Sequence, residues 1–211
     1  MKKNINMTLA AAIAMAIVGW GSVSISSIVA GKATYFGLCN MLMPALAAIG
    51  GIGASVLMTL FIILKFCSGK LLVTKGLPTL AAVYSAQSTT PSRISLALNV
   101  ILPICSAIAF IVHPVGNAAV IYTLFWIIPI GCELMHRLSY NTLFTRMLAA
   151  TFVAHAVGSV MWLYFMPTTA ATWLGLLAVV PAERLVFASG ATLATLLFAA
   201  LKQLATKTTA V

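Results

Sequence analysis

Residues 147–166 read MLAATFVAHAVGSVMWLYFM. These twenty positions carry no Asp, Glu, Lys or Arg. At roughly 1.5 Å of rise per residue a helix of that length extends about 30 Å, which matches the hydrocarbon core of a bilayer. A half-buried strand requires polar and apolar residues to alternate, and here they do not. Thr151, His155 and Ser159 recur at steps of four, with Trp162 three further on and Gly158 beside them. That spacing puts them on one helix face. Met147–Met166 is therefore read as a membrane-spanning helix with a polar stripe. His155 is the ninth of its twenty residues, near the midplane, and an ionisable side chain at that depth faces a partner or a cavity.

The whole chain agrees with this segment. Of 211 residues 62% are apolar and 7% are charged, whereas a soluble domain is about one quarter charged. A soluble fold, a disordered chain and a disulfide scaffold are all excluded. The apolar runs are too long and too uniform for the alternating segments of about ten residues that make a membrane barrel. The net charge of +10 does not mark a nucleic-acid binder, because the twelve cations are scattered between apolar runs and form no basic stripe. Cys39, Cys67, Cys105 and Cys132 form no ligand-spaced pair and behave as small hydrophobes.

Further clean spans are Ser95–Val112, Ala118–Met135 and Glu183–Leu201. Leu9–Ala30, preceded by Lys2 and Lys3, is long enough for a first span, with a cleaved signal segment as the competing reading. Phe36–Phe66 has 31 residues, about 46 Å as one straight helix, which exceeds the core. Pro44 and the Gly50-Gly51-Ile52-Gly53 cluster predict a short helix, a glycine break and a second helix. Leu77–Ala86 is too short to span and, between basic flanks, is expected as a short interfacial helix. The expected fold is an all-α integral membrane protein, a single domain over 1–211 with a compact bundle of about six transmembrane helices.

With six crossings, Lys2, Lys3, Lys65, Lys70, Lys75, Arg93, Arg137, Arg146, Lys202 and Lys207 share one side, against Lys32 and Arg184 on the other. Lysine and arginine concentrate on the cytoplasmic side. Both termini are thus expected in the cytoplasm of a bacterial-type inner membrane. Eight crossings, with the glycine break dividing two short spans and Leu77–Ala86 crossing as well, form the second arrangement, which puts Lys65, Lys70 and Lys75 outside.

This topology gathers polar candidates at the outer side: His113 and Asn117 in the His-Pro-Val-Gly-Asn turn, Asn40 near the entry to the second span, and Glu183 and Arg184 opening the last helix. Tyr122, Trp126, Pro129 and Glu133 form a stripe on the fourth span similar to that of Thr151, His155, Ser159 and Trp162. Rings with a few hydrogen-bonding groups suit a small-molecule pocket. Structural roles compete at each position. His113 can cap a helix end, His155 can join helices by a hydrogen bond, and Glu133 has His136 and Arg137 at ion-pair spacing. Arg184 opposes the dipole of its own helix and needs Glu183, another partner or an anionic ligand. Ala10, Ala12, Ala14 and Ala16 make overlapping AxxxA steps that let another helix approach closely, within this bundle or from a second membrane protein.

Three stretches carry a resemblance. The first helix has the AxxxA steps. The second is MLMPALAAIGGIGASVLMTLFIIL, and the third is the closing LGLLAVVPAERLVFASGATLATLLFAALKQL. Together they resemble the substrate-binding S components of energy-coupling-factor vitamin transporters, most nearly the biotin-transporter type, over about 80 residues. Residues 65–94 and 113–117 depart from the biotin pattern, so a substrate does not carry over. The resemblance implies a vitamin or micronutrient ligand at the outer side. Its implied partners are a transmembrane coupling subunit docked on the first helix and separate ATPases. This chain has no GxxxxGK[ST] loop of its own, and no cofactor is expected. An intramembrane enzyme using His113, His155 and Glu183, with these as candidate metal ligands, is the rival class. It is disfavoured because His155 has no acidic, Cys or His neighbour at i±3 or i±4. A membrane assembly subunit is the third.

Overall fold

The computed structural model describes residues 24–29, 32–37, 39–65, 69 and 72–208. Strands β1 (Ser24–Val29) and β2 (Lys32–Gly37) form an antiparallel hairpin, with register running from Ser24 opposite Gly37 to Val29 opposite Lys32. All later elements are helical. They are α1 (Cys39–Lys65), a π-turn (Leu72–Gly76) leading into α2 (Leu77–Gln87), α3 (Arg93–Val112), and the short α4 (Pro114–Asn117). A 3-10 segment (Val120–Trp126) then runs into α5 (Ile127–Arg137), followed by α6 (Leu143–Phe165), α7 (Ala170–Gly175) and α8 (Val179–Thr208).

Four stretches are long and apolar enough to cross a membrane: Met41–Leu64, Arg93–Val112, Leu143–Phe165 and Val179–Gln203. Their outer faces carry large apolar side chains such as Leu60, Leu64, Ile108, Val112, Leu193 and Leu197, as contact with lipid requires. Helix α6 is the axis of the bundle and packs against α2, α3, α5 and α8. In its apolar stretch 56% of residues are buried, against 22–28% in the other three. Small residues allow this approach. Ala82 and Ala86 of α2, Ala150 of α6, and Ala188 and Ala191 of α8 meet around Met147.

Several expectations are corrected. The segment Ser24–Val29, taken as the end of a first span, is a strand. Ile25, Ile28 and Val29 favour this, since β-branched residues suit a pleated surface. Residues 1–23 lie outside the described part, and with them Ala10, Ala12, Ala14 and Ala16. The segment expected as an interfacial helix is instead packed inside the bundle, as α2 between α1 and α6. An interfacial helix requires a strongly apolar face opposite a charged one. Helix α2 has no such face, and its small Thr79, Ala82, Ser85 and Ala86 are buried. It runs from the level of Gly158, where Pro78 sits, down to the Met147 end of α6. Lys75 consequently lies away from the end that carries Ser92.

The expected span Ala118–Met135 is not one α-helix. Pro129 cannot donate to the carbonyl four residues back. It occupies the first turn of α5, where that donor is dispensable, and the preceding residues take up the tighter 3-10 winding.

Within α1, Gly51 has φ 63° and ψ −156°, so the helix is interrupted there. This region of backbone space is essentially reserved for glycine. A Cβ on the neighbouring Gly50 would overlap that of Ala54. The two glycines thus serve different needs, one of conformation and one of space.

Candidate functional site

Helix α6 places Thr151, His155 and Ser159 on one stripe. The 3-10 segment lays Tyr122 against it, with ring centroids of Tyr122 and His155 5.4 Å apart. Phe125 and Phe152 stand edge-on to the imidazole at 6.4 and 6.3 Å. The Ser159 side chain lies beside the Tyr122 hydroxyl. Behind Tyr122 lies an aromatic group of Phe110, Trp126 and Trp173, the last supplied by α7.

Helix α8 begins at Val179, so Glu183 and Arg184 fall in its second turn and not at its opening. Arg184 Nη2 pairs with Glu183 Oε2 at 2.8 Å, and Arg184 Nη1 donates to the Thr151 carbonyl at 3.3 Å. The guanidinium also sits 4.7 Å from the centroid of the Phe187 ring, within cation–π range. The need for a counter-charge is therefore met by Glu183, and the second contact ties α8 to the polar stripe of α6.

Three enclosed nitrogens near this wall have no hydrogen-bond partner among the described residues: His155 Nε2, Trp126 Nε1 and Arg184 Nε. Burying such a group unpaired costs about 1–3 kcal/mol. The arrangement offers two fixed N–H donors and one imidazole nitrogen that donates or accepts by tautomer, within an aromatic surround.

The structure thus brings together Tyr122, Trp126, His155, Ser159, Glu183 and Arg184. It does not bring in Trp162, His113 or Asn117. Trp162 is 44% exposed; it lies three residues before the end of α6, where an indole suits the membrane interface. His113 caps α4: its Nδ1 accepts from the Val115 N–H at 3.2 Å, and its ring meets Tyr164 edge-on at 5.0 Å. Asn117 closes the same turn, its N–H donating to the His113 carbonyl at 2.8 Å, and its side chain is exposed. Asn40 belongs to the first turn of α1, and its side chain lies outside the described part.

A second polar group occupies the opposite end. Glu133 is 2% exposed. It accepts from Ser95 Oγ at 2.8 Å and Asn99 Nδ2 at 3.0 Å, and it pairs with Arg137 at 2.9 Å. His136 is 3.9 Å away. Asn99 Oδ1 accepts from Ser85 Oγ at 2.6 Å, so α2, α3 and α5 are joined through one carboxylate. The ion pair was legible from spacing, but Ser85, Ser95 and Asn99 were not singled out. Their signal is the step of four from Ser95 to Asn99 inside an apolar run. Among the described residues no three of His, Cys, Asp and Glu are grouped as ligands for one metal ion.

Comparison of the chain with models of protein families, with curated proteins and with solved structures finds no match.

Proposed function

We propose that the protein is the substrate-binding membrane subunit of a small-molecule uptake transporter, holding an uncharged or anionic molecule beside Trp126, His155 and Arg184. The observation that carries this reading is the set of three enclosed nitrogens without partners on an aromatic wall. A ligand bearing acceptors removes the cost of leaving them unpaired, and flat rings favour a planar or apolar body. The resemblance to energy-coupling-factor S components adds a vitamin or micronutrient as the ligand class, and a coupling subunit with ATPases as partners.

The test starts from whatever small molecule co-purifies with the detergent-solubilised protein, identified by mass spectrometry, and then measures its affinity by calorimetry. Each lost hydrogen bond to a buried group costs roughly 1–3 kcal/mol, or about 5- to 150-fold in affinity. His155→Ala and Arg184→Ala are each expected to weaken binding by that range. Lys202→Ala, exposed near the other end of α8, is expected to leave it unchanged. If both variants fold and bind as tightly as the parent, the wall is packing and the proposal fails.

The orientation belongs to the same proposal. Arg93, Arg137, Arg146 and Lys202 gather toward the end that carries Ser92, against Lys75 and Arg184 toward the His113 end. The cation-rich end is read as cytoplasmic. From Ser92 onward α3, the 120–137 segment, α6 and α8 then cross in alternation. The second of these qualifies by length, since seven 3-10 residues rise about 14 Å and eleven α residues about 16 Å. A cysteine at Asn117 is expected to react with an impermeant thiol reagent added outside intact cells, and one at Ser92 is not. Strong labelling at position 92 from outside reverses the orientation.

A further inference from the structure

The end of the bundle that carries Ser92 holds a recess lined by Ser88, Asn99, Glu133, His136, Thr145 and Arg146, among others. It has room for about one water-sized group. Arg146 Nη1 is enclosed there and has no hydrogen-bond partner among the described residues. Two features leave this cation uncompensated. Glu133, the carboxylate in the recess, is already engaged by Arg137, Ser95 and Asn99. Arg146 also stands in the first turns of α6, just past its Thr142 cap, where the helix dipole disfavours positive charge. Arg137 and Arg146 thus face one acid, Glu133, so the local charge is positive. The half-buried Arg146 stands in the first turn of the candidate span Leu143–Phe165, and the end of a spanning helix meets the headgroup layer.

We infer that Arg146 and this recess form a binding site for a phosphate group, one oxygen of which enters the recess while the rest stays at the rim. A guanidinium suits that ligand because its fork of donors matches phosphate geometry. The size of the recess agrees, admitting one oxygen and not a whole phosphate ester. The site is separate from the wall at His155 and does not rest on the function proposed there. The phosphate has two possible sources, the headgroup of an anionic phospholipid and free phosphate.

The test measures thermal unfolding of delipidated protein in a neutral detergent. It titrates phosphatidylglycerol, phosphatidylcholine or inorganic phosphate into the parent, Arg146→Gln and Arg146→Lys. The parent is expected to be stabilised by phosphatidylglycerol, which identifies a lipid site, or by inorganic phosphate, which identifies a soluble one. Arg146→Gln is expected to need about tenfold more of the same additive for half the shift, the loss of one charge-assisted hydrogen bond. Arg146→Lys keeps the charge without the fork and should fall between them. Without additive, Arg146→Gln should melt no lower than the parent, because an unpaired enclosed charge has been removed. The inference is overturned if no additive stabilises the parent, if Arg146→Gln responds like the parent, or if neither substituted protein folds, since Arg146 is then a structural residue.

Discussion

Glu133→Leu is expected to destabilise the protein by about 3–5 kcal/mol, the cost of breaking a buried charge network from one side. The loss falls unequally on the three groups that hold the carboxylate. Arg137 is 38% exposed along its side chain and can turn to solvent or headgroups. Ser95 has a second acceptor within reach, the Ser92 carbonyl at 3.0 Å, and can turn its hydroxyl proton to it. Asn99 is 4% exposed, and its oxygen is committed to Ser85, so its amide N–H is left with no acceptor. Rotating the amide to rescue the donor sacrifices the Ser85 bond. Most of the cost is therefore assigned to Asn99, which fixes a second expectation. Adding Asn99→Leu to Glu133→Leu should recover at least 1 kcal/mol relative to additivity, because the stranded donor is gone. Unfolding in mixed micelles, followed by tryptophan fluorescence, measures both. A Glu133→Leu protein within about 0.5 kcal/mol of the parent, the range of an ordinary surface change, removes the carboxylate from its place as the joint between α2, α3 and α5.

That joint also shows where a sequence stops being readable. Glu133, His136 and Arg137 lie three and four residues apart, so helix geometry alone puts them together. Asn99 reaches the carboxylate from a different helix, α3, and Ser85 reaches Asn99 only because α2 is packed inside the bundle and not, as expected, on the membrane surface. Its composition misled because small residues that fill a gap between helices look, in one dimension, like an unremarkable short run. The long spans were legible for a simple reason. An uncharged stretch of twenty residues has few alternatives in lipid, so α6, α3 and α8 fall within a few residues of their expected ranges. Pro129 and the β-branched Ser24–Val29 segment are local features that override the apolar average, and averaging over a span conceals them. At the candidate site, adjacency made the Glu183–Arg184 pair legible. The contact of Arg184 with the Thr151 carbonyl, and the entry of Trp173 from α7, depend on how separate helices pack.

Phe110→Ala is the second large effect, expected at about 2–4 kcal/mol. Phe110 is fully buried and is the hub of the aromatic group. Its ring lies 5.7 Å from Tyr122 in a stacked arrangement, and 5.3 and 5.1 Å from Trp126 and Trp173 at near-right angles. In a soluble protein, truncating such a ring costs about 3–5 kcal/mol, part of it lost transfer from water and part the cavity left behind. For a membrane helix the first part shrinks, because the separated helix keeps its side chains in lipid. The cavity and the lost ring contacts remain. A void of roughly 100 Å³ at about 24 cal/mol per Å³ gives about 2.4 kcal/mol, and aromatic pairs add about 0.5–1.5 kcal/mol each when not already counted. The void cannot close easily on the α4 side. A Cβ on Gly116 would already overlap the Phe110 carbonyl, so that turn has no slack to move inward. Phe110→Leu, which refills most of the volume, should cost less than half as much. Denaturation of the detergent-solubilised variants measures both, and the emission of Trp126 and Trp173 reports whether the group has loosened. Equal stabilities for Ala and Leu at position 110 would show that lipid or neighbouring rings fill the space, and that the aromatic group is not the rigid support behind Tyr122.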